Sequence, residues 1–144
     1  MNNAVAEGKV HILLVDDNPA DVELLRRALI VAELDCTMTV LEDGAEALAF
    51  LRRQEDQPDG RVPDLIVLDL NLPKNDGLEV LEALRASRTF ASAPVAVMSS
   101  SAEPRERAKI EQFGIGRYIT KPADLDEFLR VGFILKELLG ECRR

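Results

Sequence analysis

The sequence predicts a doubly wound α/β fold, a five-stranded parallel sheet with helices on both faces. Two observations carry that prediction. Short apolar runs alternate with helical patterns along the chain, strand then helix, five times over. The first four runs are rich in Val, Ile and Leu rather than alternating with polar residues, as strands buried on both faces of a parallel sheet are. A length of 144 residues fits a single domain over 1–144, with residues 1–9 as a flexible N-terminal tail and no effector segment.

The first strand is "VHILLV" (10–15). Asn18-Pro19 then supplies a helix cap and a proline at the first helical position, with Asp21 in the first turn of "DVELLRRALIVAEL". "CTMTVL" (36–41) is the second strand and "GAEALAFLRRQ" its helix; "EDQPDGRVP" (55–63) is a polar loop because a strand follows at once. "DLIVL" (64–68) and "GLEVLEALRAS" form the third pair. "PVAVM" (94–98) and "EPRERAKIEQFG" form the fourth, with Gly114 as the helix stop. "RYIT" (117–120), shorter and more polar, suits a sheet edge, and the last helix runs from near Asp124 to about Gly140. With the strand order 2-1-3-4-5 this is a flavodoxin-like topology.

Composition excludes several classes. The chain is 47% apolar and 31% charged, has no apolar run near the ~18 residues of a membrane span, and lacks a signal-peptide pattern, which points to a soluble cytoplasmic protein. Two distant cysteines, Cys36 and Cys142, and one histidine, His11, argue against a zinc cluster and a Ser/His/Asp triad. The 18 Lys and Arg against 26 Asp and Glu give a net charge of −8, which repels nucleic acid and anionic membranes.

Ligands of open parallel sheets bind beyond the carboxyl ends of the strands. There the sequence places Asp16-Asp17 after strand one, Asp69 after strand three, Ser99 after strand four and Lys121 after strand five. Singly, each has an ordinary role as a cap, turn or surface residue. Jointly they bring three carboxylates, a hydroxyl and an ammonium to one crevice. Two like charges at 4 Å repel by about 4 kcal/mol at an effective dielectric near 20, so the acids need protons or a cation. Oxygen-only ligands favour Mg²⁺. A metal beside a carboxylate and a lysine suits phosphoryl transfer, with Asp69 as nucleophile, Asp16 and Asp17 on the metal, Asn71 adding its backbone carbonyl and Ser99 bonding a phosphoryl oxygen. Pro73 and Gly77 would fix the following loop, and Asp76 would cap the third helix.

The segments "LLVDDNPADVELL", "DLIVLDLNLPKNDGLEVL", "PVAVMSSS" and "GRYITKPADLDEF" together resemble the receiver domain of two-component response regulators. The resemblance implies that Asp69 is the phosphoacceptor, that Asp16, Asp17, Asp69 and the Asn71 carbonyl bind Mg²⁺, and that Ser99 and Lys121 hold the phosphoryl group. It implies a switch through Ser99 and Tyr118 to the face made by helix four, strand five and helix five. It also makes Lys121-Pro122 a candidate for the cis isomer, which sequence alone does not decide, and implies phosphorylation by a sensor histidine kinase and no catalysis beyond the chain's own phosphoryl transfer and slow dephosphorylation. A narrower resemblance is to single-domain regulators that partner phytochrome-type kinases.

On the last helix, Leu125, Phe128, Leu129, Leu135 and Leu139 make a core face, while Val131, Ile134 and Leu138 form a second stripe suited to a homodimer through the helix 4/strand 5/helix 5 face. Three alternatives compete. A Mg²⁺-dependent phosphohydrolase with an aspartyl-phosphate intermediate commonly carries a second acid two residues after its nucleophile, where this chain has Asn71. A flavin binder needs a phosphate-cradling loop where "DDNPAD" offers acids. A pure adaptor would not need the acid, hydroxyl and lysine set.

Overall fold

The computed structural model describes residues 9–56 and 62–142. Most of the expected N-terminal tail and the middle of the expected 55–63 loop lie outside the described residues. The elements follow in the order β1 (Val10–Val15), α1 (Pro19–Val31), β2 (Cys36–Leu41), α2 (Gly44–Asp56), β3 (Leu65–Asp69), a 3₁₀ turn (Pro73–Asn75), α3 (Asp76–Ala86), β4 (Val95–Ser99), α4 (Pro104–Glu111), β5 (Arg117–Thr120) and α5 (Leu125–Cys142). The sheet order is β2-β1-β3-β4-β5, with every pairing parallel.

Alternation along the central strands sends side chains to two cores. Leu13, Val15, Ile66, Leu68, Val95 and Val97 pack with α2, α3 and Ile110 of α4. Ile12, Leu14, Leu65, Val67, Ala96 and Met98 pack with α1 and α5. β3 and β4 are buried throughout. β2 is not: it lies at a sheet edge with only Leu41 fully buried, because one of its sides has no strand to cover it.

Local sequence explains the element ends. Asn18, in extended conformation, caps α1 by accepting from the Ala20 and Asp21 amides at 2.9 and 3.4 Å, and Pro19 follows it. Beyond α4, Gly114 turns the chain at φ 71°. Asp76 does not cap α3 from outside. The 3₁₀ turn at Pro73 runs straight into α3, so Asp76 has helical dihedrals of −62° and −26°. The Lys121-Pro122 bond, whose isomer the sequence leaves open, is trans.

The second stripe expected on α5 is also corrected. Val131 and Leu138 are 1% and 2% exposed and share a core with Phe128, Leu135 and Leu139, so a single face repeats at helical spacing. Leu125, expected inside, is 55% exposed at the helix start. α5 packs closely on α1, where a Cβ at Gly132 would run into the Ala28 carbonyl. Among the described residues, no helix is long and apolar enough to cross a membrane.

Candidate functional site

Asp69 is the last residue of β3, and only 2% exposed. The Leu70 amide donates to the Met98 carbonyl at 2.9 Å, which ties the strand end to β4. One Asp69 oxygen, Oδ1, accepts the Asn71 amide at 2.8 Å; the other, Oδ2, accepts from Lys121 Nζ at 3.0 Å. Asp16, just past β1, is oriented in the same way, with Oδ1 accepting the Asn18 amide at 2.9 Å. Each acid is thus aimed by the backbone two residues on. Gly77 makes room for this: a Cβ there would lie 2.7 Å from Leu70 Cα and 2.9 Å from the Asp69 carbonyl oxygen.

One oxygen from each of Asp16, Asp17 and Asp69 lies within 4.8 Å of the others, Asp17 being exposed and the other two buried. Burial pushes the Asp16 carboxyl up to about 7, helped by the charges of Asp69 and Asp21 and opposed by the Asn18 amide and Lys121. Three oxygen donors gathered this closely could hold a divalent cation, and one of them is reluctant to ionise unaided.

Lys121 follows β5, and its amide donates to the Ser99 carbonyl at 2.7 Å. Its Nζ contacts Asp21 at 2.8 Å and Asp69 at 3.0 Å, with Asp16 at 4.0 Å. Burial alone would lower the Lys121 pKa, but the hydrogen bonds to Asp21 and Asp69 and the charges of Asp69 and Asp16 outweigh it, so the ammonium is held charged. Sequence alone makes Asp21 no more than an acid in a helix's first turn. A signal for it existed: that turn starts directly after Asp16-Asp17, so its side chains border the same crevice.

Ser99 ends β4, fully buried, one residue past the Met98 that pairs with Asp69. Its Oγ accepts the Ser101 amide at 3.1 Å. The next segment is held from two more sides. The Ser100 amide donates to Asn71 Oδ1 at 2.7 Å, and the Tyr118 hydroxyl donates to the Ser101 carbonyl at 2.9 Å. Tyr118 is therefore not in the acidic pocket. It is buried behind the β4–α4 segment, with the Arg107 guanidinium 5.5 Å from its ring centre. Asp16, Asp17, Asp69 and Lys121 are brought together, Ser99 lies alongside, and the Asn71 side chain turns to Ser100.

A buried carboxylate, a cation site on one side and an ammonium on the other can direct an anionic electrophile onto one Asp69 oxygen. Comparison with known proteins agrees with this chemistry. Residues 12–131 match the family described as the response regulator receiver domain. The chain is 34% identical to the response regulator Rcp1 of Synechocystis sp. over 120 residues, covering 83% of this chain and 82% of Rcp1. The crystal structure of the phosphorylated cyanobacterial phytochrome response regulator RcpA superposes with a TM-score of 0.80 at 35% identity, covering 91% of this chain and 94% of that one. The Mn²⁺-bound form of response regulator Rcp1 gives 0.77 at 32% identity, covering 89% and 92%.

Proposed function

This chain belongs to the response regulator receiver domain family, and we propose that its Asp69 accepts a phosphoryl group from the phosphohistidine of a phytochrome-type sensor kinase in the cytoplasm. An Asp69 oxygen attacks phosphorus, the phosphorus–nitrogen bond breaks, and the departing imidazole takes up a proton. Lys121 pairs with an oxygen of the arriving group, and the Ser99 hydroxyl donates to another once the β4–α4 segment shifts. Asp16, Asp17 and Asp69, with the Asn71 carbonyl, would hold Mg²⁺, which when bound offsets negative charge on the moving phosphoryl group. The observation that carries this reading is the Asp69 carboxylate itself: buried, fixed at Oδ1 by the Asn71 amide, bonded at Oδ2 to Lys121, and sharing a cation site with two further acids.

Release of the Ser100 and Ser101 bonds would pass the change to Tyr118 and the α4/β5/α5 face. That face carries ion pairs, Arg107 with Glu111 at 3.2 Å and Arg117 with Glu137 at 3.2 Å and Glu141 at 3.7 Å. We place a homodimer contact there, made by these charges rather than by the buried α5 residues. The family and the relatives named above are regulators, and they give a phosphohydrolase no support.

Intact mass after incubation with acetyl phosphate and Mg²⁺ tests the acceptor. The parent chain should gain one phosphoryl group, and neither the Asp69→Asn variant nor a chelated sample should gain any. Equal labelling of Asp69→Asn would overturn the assignment.

A further inference from the structure

One acid in the pocket has no part in the scheme above. Asp21 stands on α1, outside the three acids whose oxygens gather within 4.8 Å, yet its Oδ2 makes a shorter bond to Lys121 Nζ, 2.8 Å, than Asp69 does at 3.0 Å. Both side chains are mostly buried, at 20% and 15% exposure. We propose that Asp21 is a positioning residue that keeps the Lys121 ammonium in the pocket while it exchanges an Asp69 oxygen for an oxygen of the incoming phosphoryl group. The inference rests on Asp69 being the acceptor.

One partner of Lys121 changes during the transfer and the other does not. An ammonium has three protons to donate on a long flexible stem. Two point at Asp21 and Asp69, while Asp16 at 4.0 Å is beyond hydrogen-bond range. The Asp69 partner is temporary. Its charge is drawn on by any cation in the site, and on phosphorylation one of its oxygens becomes the bridging oxygen of an acyl phosphate, with little charge to hold a lysine. A lysine tethered by Asp69 alone would lose its partner just as the phosphoryl oxygens need it. Asp21 forms no bond to phosphorus, so its contact with Lys121 does not depend on the transfer.

Asp21 is itself placed firmly. Its amide is bound by the Asn18 cap at 3.4 Å, and α1 is locked to α5 where Gly132 meets the Ala28 carbonyl. Lys121 can therefore pivot about the Asp21 bond and present its remaining protons to phosphorus-bound oxygens. Because the pair is already made, Asp21 also adds little repulsion against the arriving dianion.

A double-mutant cycle on the rate of mass gain from acetyl phosphate and Mg²⁺ tests this. Asp21→Ala should slow uptake about tenfold, and Asp21→Asn should fall between it and the parent. In a Lys121→Met background, adding Asp21→Ala should change the rate by less than about twofold, because the residue it positions is gone. Titration calorimetry without donor should show Mg²⁺ affinity within about threefold of the parent, since Asp21 is not a ligand. If Asp21→Ala does not fold by thermal melting, the cycle is run with Asp21→Asn. Uptake unchanged or faster with Lys121 intact, equal slowing in both backgrounds, or loss of Mg²⁺ binding would each overturn the proposal while leaving Asp69 as acceptor. No uptake by the parent chain would overturn the acceptor reading and this one with it.

Discussion

Asp16 is the residue whose charge depends most on what the pocket holds. Its carboxyl is pushed up from 3.8 to about 7, chiefly by burial. A pKa raised on folding means that the native state binds the proton more tightly, so this group's contribution to stability is whole below its ordinary value and is lost as pH rises through about 7. Lys121 is also raised, but from a value far above that window, so it adds no slope there. The metal-free protein should therefore melt at lower temperature at pH 8 than at pH 5 through Asp16, and Mg²⁺ should raise the melting temperature strongly at pH 8 and weakly at pH 5. Calorimetric melts at the two values, with and without Mg²⁺, check both halves. A metal effect equal at both would show that Asp16 is already ionised without it.

Among the elements, α1 and α5 show most clearly how packing decides what a residue does. A Gly132→Ala change puts a methyl against the Ala28 carbonyl and should destabilise by about 1–3 kcal/mol in urea unfolding. Gly140→Ala on the same helix meets nothing within 4 Å and should be neutral or stabilising by up to about 1 kcal/mol. The same contact accounts for what sequence reasoning lost. Strands, helices and their order were legible because apolar runs, caps and turns are local signals. Asp16, Asp17, Asp69, Ser99 and Lys121 were legible because all stand at strand ends. The side of α5 carrying Val131 was not, since its rotation is set by a glycine meeting another helix's backbone. Asp21 was missed because an acid in a first turn is ordinary for a helix, and only the tertiary reach of Lys121 makes it part of the site. Asp76 was misplaced because a proline turn joined α3 without a break.

For the whole molecule, the charged α4/β5/α5 face makes a prediction about assembly. Exposed ion pairs contribute only about 0–1 kcal/mol each within a chain, so Arg117, Glu137 and Glu141 can re-pair across a two-fold contact at little loss. Sedimentation at high micromolar concentration should show a dimer that weakens as salt is raised, and Arg117→Ala should weaken it further. A salt-insensitive dimer would place the contact elsewhere. The bond between Lys121 and Asp21 spans 100 residues of chain, and closing so long a loop carries an entropic penalty of about 4 kcal/mol. A fragment that stops before β5 carries Asp16, Asp17 and Asp69 without the Lys121 ammonium that pairs with Asp69.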